Sequence, residues 1–259
     1  MNPLAAGLGA GLCGGVLSGL FGLGGGIVMV PLLSVGLHLD QHRAQGATLA
    51  AMLLPIGLPA VLEYWKRGIR ASLPLVGVLI LAFLVGIYAG ARVANLLSGT
   101  LLRWGFCLLL MGLALLTLTR KEPVPGAEQA SGAGAGGPGI WVGGAPIGFL
   151  GGLISGLTGL GGAVVMVPLL ASRFRMTQHA AQLTTLIMLL PPIGLPGVWV
   201  YAKAQGGLPW MAVAGVALGF AVGALLGARV ATRLRGARLK QIYVGVILLL
   251  ALLVAVGGR

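Results

Sequence analysis

The chain has 259 residues, of which 58% are hydrophobic and only 8% are charged, and its formal net charge is +13. A soluble domain has about a quarter of its residues charged, so a water-soluble globule is excluded and lipid must be the solvent. The Lys and Arg residues lie mainly in short segments between apolar stretches, where they orient helices and meet lipid headgroups. The expected partners are therefore the lipid bilayer and a small solute, and nucleic acid is not one of them.

Apolar blocks follow one another in the same order in the two halves of the chain. The first half has blocks at about 3–36, 46–64, 72–98 and 101–119, and the second half at about 140–172, 183–201, 208–231 and 239–257. A helix that covered the whole first block would be about 50 Å long, which exceeds the thickness of a bilayer. The glycine cluster in that block therefore predicts a break, either as a re-entrant hairpin or as a tight pair of helices.

The two halves are copies of one unit, related by a shift of 137 residues. Residues 19–31 read GLFGLGGGIVMVP and residues 156–168 read GLTGLGGAVVMVP. The sequence predicts an all-α polytopic membrane protein with two homologous repeats, 1–120 and 140–259. Each repeat has a glycine-broken first helix plus three further helices, and the Gly- and Pro-rich segment 121–139 is predicted to be a flexible linker.

The distribution of basic residues predicts that the repeats are inverted. If the broken first block returns to its starting side, each half crosses the membrane an odd number of times. With the N-terminus outside, 12 of the 17 basic residues then lie inside, as the positive-inside rule requires. Those residues are Lys66, Arg67, Arg70, Arg120, Lys121, Arg173, Arg175, Arg229, Arg233, Arg235, Arg238 and Lys240.

Glycines at four-residue spacing form a bare ridge along the first helix of each half. Such ridges let helix backbones approach closely in lipid, so we interpret them as packing surfaces. They are Gly7, Gly11, Gly15 and Gly19 in the first half, and Gly144, Gly148, Gly152 and Gly156 in the second.

The glycine breaks are the first candidate for a binding site. Where a helix resumes after a break, several backbone N–H groups and the positive end of the helix dipole can meet an anion. Broken helices form substrate sites near the midplane of many transporters. The alternative is a tight hairpin whose glycines only relieve crowding. The candidate residues are Gly22, Gly24, Gly25, Gly26, Gly159, Gly161 and Gly162.

The second helix of each half adds polar side chains at three-residue spacing, which places them on one face. Prolines farther along are predicted to kink or unwind this helix. The Gln and Thr residues are candidate substrate contacts, with bridging between helices as the alternative. The histidines, expected near a helix end, are candidates for a proton or anion relay. The residues are His42, Gln45 and Thr48, and in the second half His179, Gln182, Thr184 and Thr185.

The sequence does not favour an enzyme. It has no HExxH or GxSxG motif, and its four acidic residues cannot form a carboxylate-rich metal site. We therefore expect neither a cofactor nor a metal ion. The candidate site is rich in N–H, amide and hydroxyl donors, which favours an anion as the substrate.

The duplicated motif, GLGGGIVMVP and GLGGAVVMVP, resembles the signature of the TauE/SafE family of sulfite exporters over nearly the whole chain. The resemblance implies a multi-pass transporter of the bacterial cytoplasmic (inner) membrane that moves sulfite, a sulfonate or another small organic or sulfur oxyanion, often outward. Two positions depart from a perfect repeat, because Ala163 replaces a glycine and Gly46-Ala47 corresponds to Leu183-Thr184. An alternating-access carrier and an anion channel both fit the pattern, and substrate, direction, coupling ion and any homo-oligomer stay open.

Overall fold

The computed structural model describes residues 2–21, 26–55, 58–66, 68–119, 139–231, 245–246, 248–252 and 254. Throughout these ranges every regular element is an α-helix, which confirms the predicted all-α class. Three helical segments, Leu73–Leu96, Gly139–Thr158 and Trp210–Gly227, are long and apolar enough to cross a bilayer, and four shorter helical segments are also apolar. The multi-pass membrane protein predicted from composition is confirmed.

The first half contains six helices and the second half five within the described residues. In the first half they are α1 (Pro3–Phe21), α2 (Gly26–Gly36), α3 (Gln41–Ala51), α4 (Leu58–Lys66), α5 (Leu73–Leu96) and α6 (Gly99–Thr119). In the second half they are α7 (Gly139–Thr158), α8 (Ala163–Arg173), α9 (Gln178–Met188), α10 (Leu195–Ala204) and α11 (Trp210–Ala231). The predicted linker 121–139 lies outside the described residues except for Gly139, and the predicted last block, 239–257, is described only in part.

In the second half the first apolar block is broken at its glycine cluster, as the sequence predicts, because α7 ends at Thr158 and α8 begins at Ala163. Residues 22–25, in the first cluster, lie outside the described residues. In the second half, α8 folds back along α7. A Cβ at Gly143, near the start of α7, would lie 2.9 Å from Cζ of Phe174, just after α8. A Cβ at Gly162 would lie 2.7 Å from the carbonyl oxygen of Gly151. The pair α7–α8 is therefore a hairpin.

The second block is interrupted as well, by the segment around Pro55 between α3 and α4 and by the segment around Pro192 between α9 and α10. Helix α3 begins at Gln41, before the apolar block at 46–64, and so contains His42, Gln45 and Thr48 on one helix, as the three-residue spacing predicts. The carboxylate of Asp40 accepts a hydrogen bond from the backbone N–H of Arg43 at 2.9 Å, and this N-cap extends the helix into a polar stretch that hydropathy alone leaves out.

The glycine ridges pack helices of one half against helices of the other. The ridge of α1 lies on α11 and the ridge of α7 lies on α5; a Cβ at Gly148, for example, would lie 2.7 Å from the carbonyl oxygen of Leu79. The two sets of contacts correspond under the shift of 137 residues, and the close packing predicted for the ridges is confirmed. The facing pairs are Gly7–Ala212, Gly11–Val216 and Gly15–Phe220, and Gly144–Leu75, Gly148–Leu79 and Gly152–Phe83.

Contacts between helix ends show how the remaining helices are directed. Nε2 of His42, near the start of α3, lies 3.0 Å from the carbonyl oxygen of Ala94 in the last turn of α5. Nε2 of Gln205, just before α11, lies 3.3 Å from Oδ1 of Asn95. Thus α3 and α11 begin where α5 ends, and α5 and α11 run in opposite directions. We call this the His42 end of the bundle.

Candidate functional site

The glycine break of the second half is a buried loop with a left-handed backbone. Gly159, Gly161 and Gly162 have φ angles of 75°, 79° and 71°, a conformation that any side chain larger than hydrogen disfavours. A Cβ at Gly159 would lie 3.0 Å from Cα of Gln45, and one at Gly161 would lie 2.8 Å from Cε of Met52. The loop therefore lies directly on α3, a helix of the other half.

The two glycine breaks touch each other. Gly22, Gly24 and Gly25 lie outside the described residues, but Gly26 is described and buried at the start of α2. A Cβ at Gly26 would lie 2.7 Å from Cα of Leu160 and 2.8 Å from the carbonyl oxygen of Gly159. The structure thus brings the end of the first break against the middle of the second.

Backbone donors are concentrated at this contact. The N–H of Gly159 donates to Ser155 O at 2.8 Å, and that of Ala163 donates to Gly161 O at 2.9 Å. For the N–H groups of Gly161 and Gly162, the described residues provide no backbone acceptor. These two groups stand at the start of α8, where the helix dipole adds a partial positive charge.

Gln45 is fully buried beside the same loop, and its amide contacts a tyrosine of the other half. The hydroxyl oxygen of Tyr201 lies 2.8 Å from Oε1 of Gln45 and 2.7 Å from the carbonyl oxygen of Gly156. Because the hydroxyl has one proton, it can donate to only one of these acceptors at a time. When it donates to Gly156, the Gln45 amide can turn over so that Nε2 donates to the Tyr201 oxygen.

In either arrangement one polar atom of the Gln45 amide, Nε2 or Oε1, is buried without a contact to Tyr201. As oriented here, Nε2 of Gln45 has no hydrogen-bond partner within the described part of the chain, and neither has the hydroxyl of Ser155. Ser155 is itself fully buried and directly precedes Gly156. The site therefore combines an unpartnered amide and an unpartnered hydroxyl with the backbone donors of the break.

Gln182 makes the equivalent contact with the other tyrosine. The hydroxyl of Tyr64 donates to Oε1 of Gln182 at 2.9 Å, and these two residues correspond to Tyr201 and Gln45 under the shift of 137 residues. Each glutamine is thus paired with a tyrosine of the opposite half. Tyr64 is only partly buried, however, whereas Tyr201 is fully buried.

The departure from the repeat at Gly46 accounts for part of this difference. A Cβ at Gly46 would lie 2.9 Å from Cβ of Tyr201 and 2.8 Å from Cδ2 of Leu208. The missing side chain lets Tyr201 pack directly on α3. At the corresponding position the second half has Leu183, so the two half-sites differ in shape.

The candidate threonines bond within their own helices. Their hydroxyls donate to the carbonyl oxygens four residues earlier, from Thr48 to Ala44, from Thr184 to Ala180 and from Thr185 to Ala181, at 2.8, 2.8 and 2.9 Å. All three side chains are buried. In this conformation the threonine hydroxyl protons are used within the helices. Gln45 and Gln182 are then the residues of this polar face that are left to donate hydrogen bonds to a ligand.

The candidate histidines lie at helix ends, as expected. Nε2 of His42 also lies 3.2 Å from the carbonyl oxygen of Leu97, and a protonated Nε2 therefore caps the C-terminus of α5. His179 is exposed, with its ring centroid 6.1 Å from that of Tyr64. Neither contact involves a described glycine of the breaks.

Tyr64, Tyr201 and Ser155 contact or neighbour the candidate residues, and the sequence analysis does not assign them to a site. A signal for them exists, since both tyrosines occupy matching places in the repeat and Ser155 corresponds to Ser18. Spacing shows which residues share a helix face. It does not show which helix of the other half that face contacts.

Comparisons with known proteins agree with this architecture. The family model described as sulfite exporter TauE/SafE matches residues 7–254. A protein of Haemophilus influenzae (strain ATCC 51907 / DSM 11121 / KW20 / Rd), described as a probable membrane transporter protein, is 26% identical over 226 residues, which cover 81% of this chain and 80% of the relative. No solved structure gives a significant match. The chain belongs to the TauE/SafE family of membrane transporters.

Proposed function

We propose that this protein is a secondary transporter that exports a small oxyanion, such as sulfite, a sulfonate or another organic or sulfur-containing anion. The anion would bind where the two glycine breaks touch, between Gly26, Gln45 and the loop Gly159–Gly162. The family description supports the class of substrate and the outward direction. The donors at the contact support an anion.

The observation that carries the proposal is the buried amide of Gln45. Burying a polar atom without a partner costs about 1–3 kcal/mol, a cost that a bound anion would remove. An anion would favour the arrangement in which Tyr201 donates to Oε1, because Nε2 then faces the ligand. The hydroxyl of Ser155 and the N–H groups of Gly161 and Gly162 would complete the shell.

Several such bonds are needed, because an oxyanion must lose its water to enter. Each hydrogen bond to a charged group contributes about 1.5–3 kcal/mol, so four donors together can offset a substantial part of the dehydration. The chain's four acidic residues, Asp40, Glu63, Glu122 and Glu128, lie outside the segments that form this contact. Asp40, the acidic residue whose side chain the structure describes, pairs instead with Arg43 at 3.6 Å.

We also propose that the two halves are inverted repeats in a bacterial cytoplasmic membrane, and that they rock against each other around this site. The opposite directions of α5 and α11 support the inversion. So does the sequence, which places 12 of 17 basic residues inside when the His42 end lies outside. In this arrangement the Tyr–Gln contacts join the two moving parts.

Transport by the reconstituted protein tests the proposal. Purified protein would first be screened for the small anion that raises its melting temperature most, starting with sulfite, sulfoacetate and acetate. Proteoliposomes preloaded with that anion should then accumulate labelled anion against its gradient by exchange. A current that follows the electrochemical gradient without exchange would instead identify an anion channel.

A further inference from the structure

A basic groove lies on the outer face of the bundle, at the His42 end. A cavity of about 370 Å³ opens between the last turns of α5 and α10, and Arg92, Asn95, Leu96, Trp199 and Lys203 are among its lining residues. We call it the Arg92 groove. We infer that this groove binds the headgroup of an anionic phospholipid.

The charge of the groove favours an anionic group. Arg92 and Lys203 are both exposed, and none of the described residues that line the groove is acidic. Asp40, the acidic residue described at this end of the bundle, pairs with Arg43 at 3.6 Å. Arg43 in turn donates to the carbonyl oxygen of Gln205 at 3.5 Å, so this end of the bundle carries excess positive charge.

The two cations are held in place by aromatic rings of their own helices. Cζ of Arg92 lies 5.5 Å from the centroid of the Tyr88 ring, and Nζ of Lys203 lies 5.3 Å from that of Trp199. Cation–π contacts at this distance reduce the freedom of long side chains. The hydrogen bond from Gln205 to Asn95 joins the two helices beneath them at 3.3 Å.

The apolar surroundings indicate a lipid rather than a dissolved ion. Leu96 is 86% exposed and Trp199 is 57% exposed, and both border the groove, Leu96 as the last residue of the membrane-spanning helix α5 and Trp199 from the short helix α10. Tryptophan and tyrosine are enriched at the headgroup level of a bilayer, and the side chains of Lys and Arg reach the same level. Acyl chains could follow Leu96 and Trp199 toward the bilayer core.

This groove is separate from the proposed transport site. On α10, Tyr201 points inward to Gln45, whereas Trp199 and Lys203 lie on the outer face of the same helix. The inference therefore does not depend on the proposed function. It is tested by which phospholipid stabilises the folded protein more.

Thermal unfolding of the purified full-length protein tests the inference. Melting temperatures would be compared in detergent micelles that contain equal amounts of phosphatidylglycerol or phosphatidylcholine. Wild-type protein should be stabilised more by phosphatidylglycerol. In the double variant Arg92→Gln/Lys203→Gln this difference should disappear, while the effect of phosphatidylcholine stays the same.

The variant Arg173→Gln is the control for loss of a positive charge elsewhere, and it should keep the full preference. If the double variant does not fold, native mass spectrometry of Arg92→Gln and Lys203→Gln separately should show fewer bound phosphatidylglycerol molecules than in wild type. Equal stabilisation of the wild type by both lipids would overturn the inference. Stabilisation by sodium sulfite that depends on Arg92 and Lys203 would also overturn it, because the groove would then hold a dissolved anion.

Discussion

The hydroxyl oxygen of Tyr201 lies 2.8 Å from Oε1 of Gln45, and the two residues come from opposite halves of the chain. Tyr64 and Gln182 repeat this relationship at 2.9 Å with the halves exchanged. Both contacts would have to bend or break if one half rocked against the other. They therefore connect the proposed site to the proposed motion.

The first prediction concerns the Tyr201 hydroxyl. Tyr201→Phe removes the donor that Gln45 and Gly156 share, and the carbonyl of Gly156 is left buried with one partner fewer. The free energy of unfolding should fall by about 1–3 kcal/mol, and the affinity for the transported anion should fall because the amide of Gln45 is no longer oriented. Reversible unfolding in detergent and anion-dependent melting shifts measure the two effects.

Tyr88→Phe is the matched control, because Tyr88 lies on α5 away from the glycine contact. Its ring contacts Arg92, and phenylalanine keeps that ring. It should leave both quantities near the wild-type values. A Tyr201→Phe variant that matched Tyr88→Phe in stability and in anion affinity would show that the hydroxyl has no part in the site.

The second prediction concerns the contact between the two glycine breaks. A methyl group at residue 26 would lie 2.7 Å from Cα of Leu160, and backbone atoms cannot move aside as a flexible side chain can. Gly26→Ala should therefore destabilise the protein by about 1–3 kcal/mol and abolish exchange in proteoliposomes. The reverse change at the equivalent place, Ala163→Gly, should cost no more than about 1 kcal/mol and keep exchange. Comparable stability and exchange in the two variants would mean that the breaks do not need this close approach.

The third prediction concerns the glycine ridge of α1. A Cβ at Gly11 would overlap the carbonyl oxygen of Val216, whereas a Cβ at Gly9 would meet nothing within 4 Å. Gly11→Leu should lower the folded yield and the melting temperature strongly, and Gly9→Leu should change both only slightly. Fluorescence-detected size exclusion after stepwise heating measures both variants. Gly11→Leu protein that is well folded but has a changed anion preference would contradict a purely structural ridge.

The fourth prediction concerns the direction of the two halves. Arg70 follows α4, and Gln205 follows the corresponding helix, α10. Arg70 is the better labelling position in its loop, since Gly68 has a φ angle of 79° that a cysteine would strain. In a protein whose Cys13 and Cys107 are replaced by alanine, Arg70→Cys should be labelled only from the cytoplasmic side and Gln205→Cys only from outside. Labelling of both from one side would exclude inverted repeats.

Much of the fold could be predicted because the relevant signals are local. The glycines at 159, 161 and 162 adopt a left-handed backbone that a helix cannot contain, and the prolines at 55 and 192 remove backbone donors, so both interruptions follow from the local sequence. The glycine spacing of α1 and α7 also predicts a close helix contact. It does not identify the partner, because the ridge of each half packs on the other half.

The candidate site was harder to predict for the same reason. Three-residue spacing places Gln45 and Thr48 on one face, but it cannot show that Thr48 bonds to Ala44 while Gln45 meets Tyr201. Gly46 looks like a minor departure from the repeat, yet it makes room for that tyrosine. These relationships depend on contacts between the halves, which the sequence of one half does not contain.

Anion affinity in the Gln45→Leu variant tests the central claim most directly. The anion that best stabilises wild-type protein would be titrated against wild type, Gln45→Leu and, as a control for loss of an amide elsewhere, Gln205→Leu. If the proposed site is right, the dissociation constant of Gln45→Leu should be at least about tenfold larger than that of wild type, equivalent to about 1.4 kcal/mol. The dissociation constant of Gln205→Leu should equal that of wild type. A Gln45→Leu protein that is folded and binds the anion as tightly as wild type would contradict a site at the glycine contact.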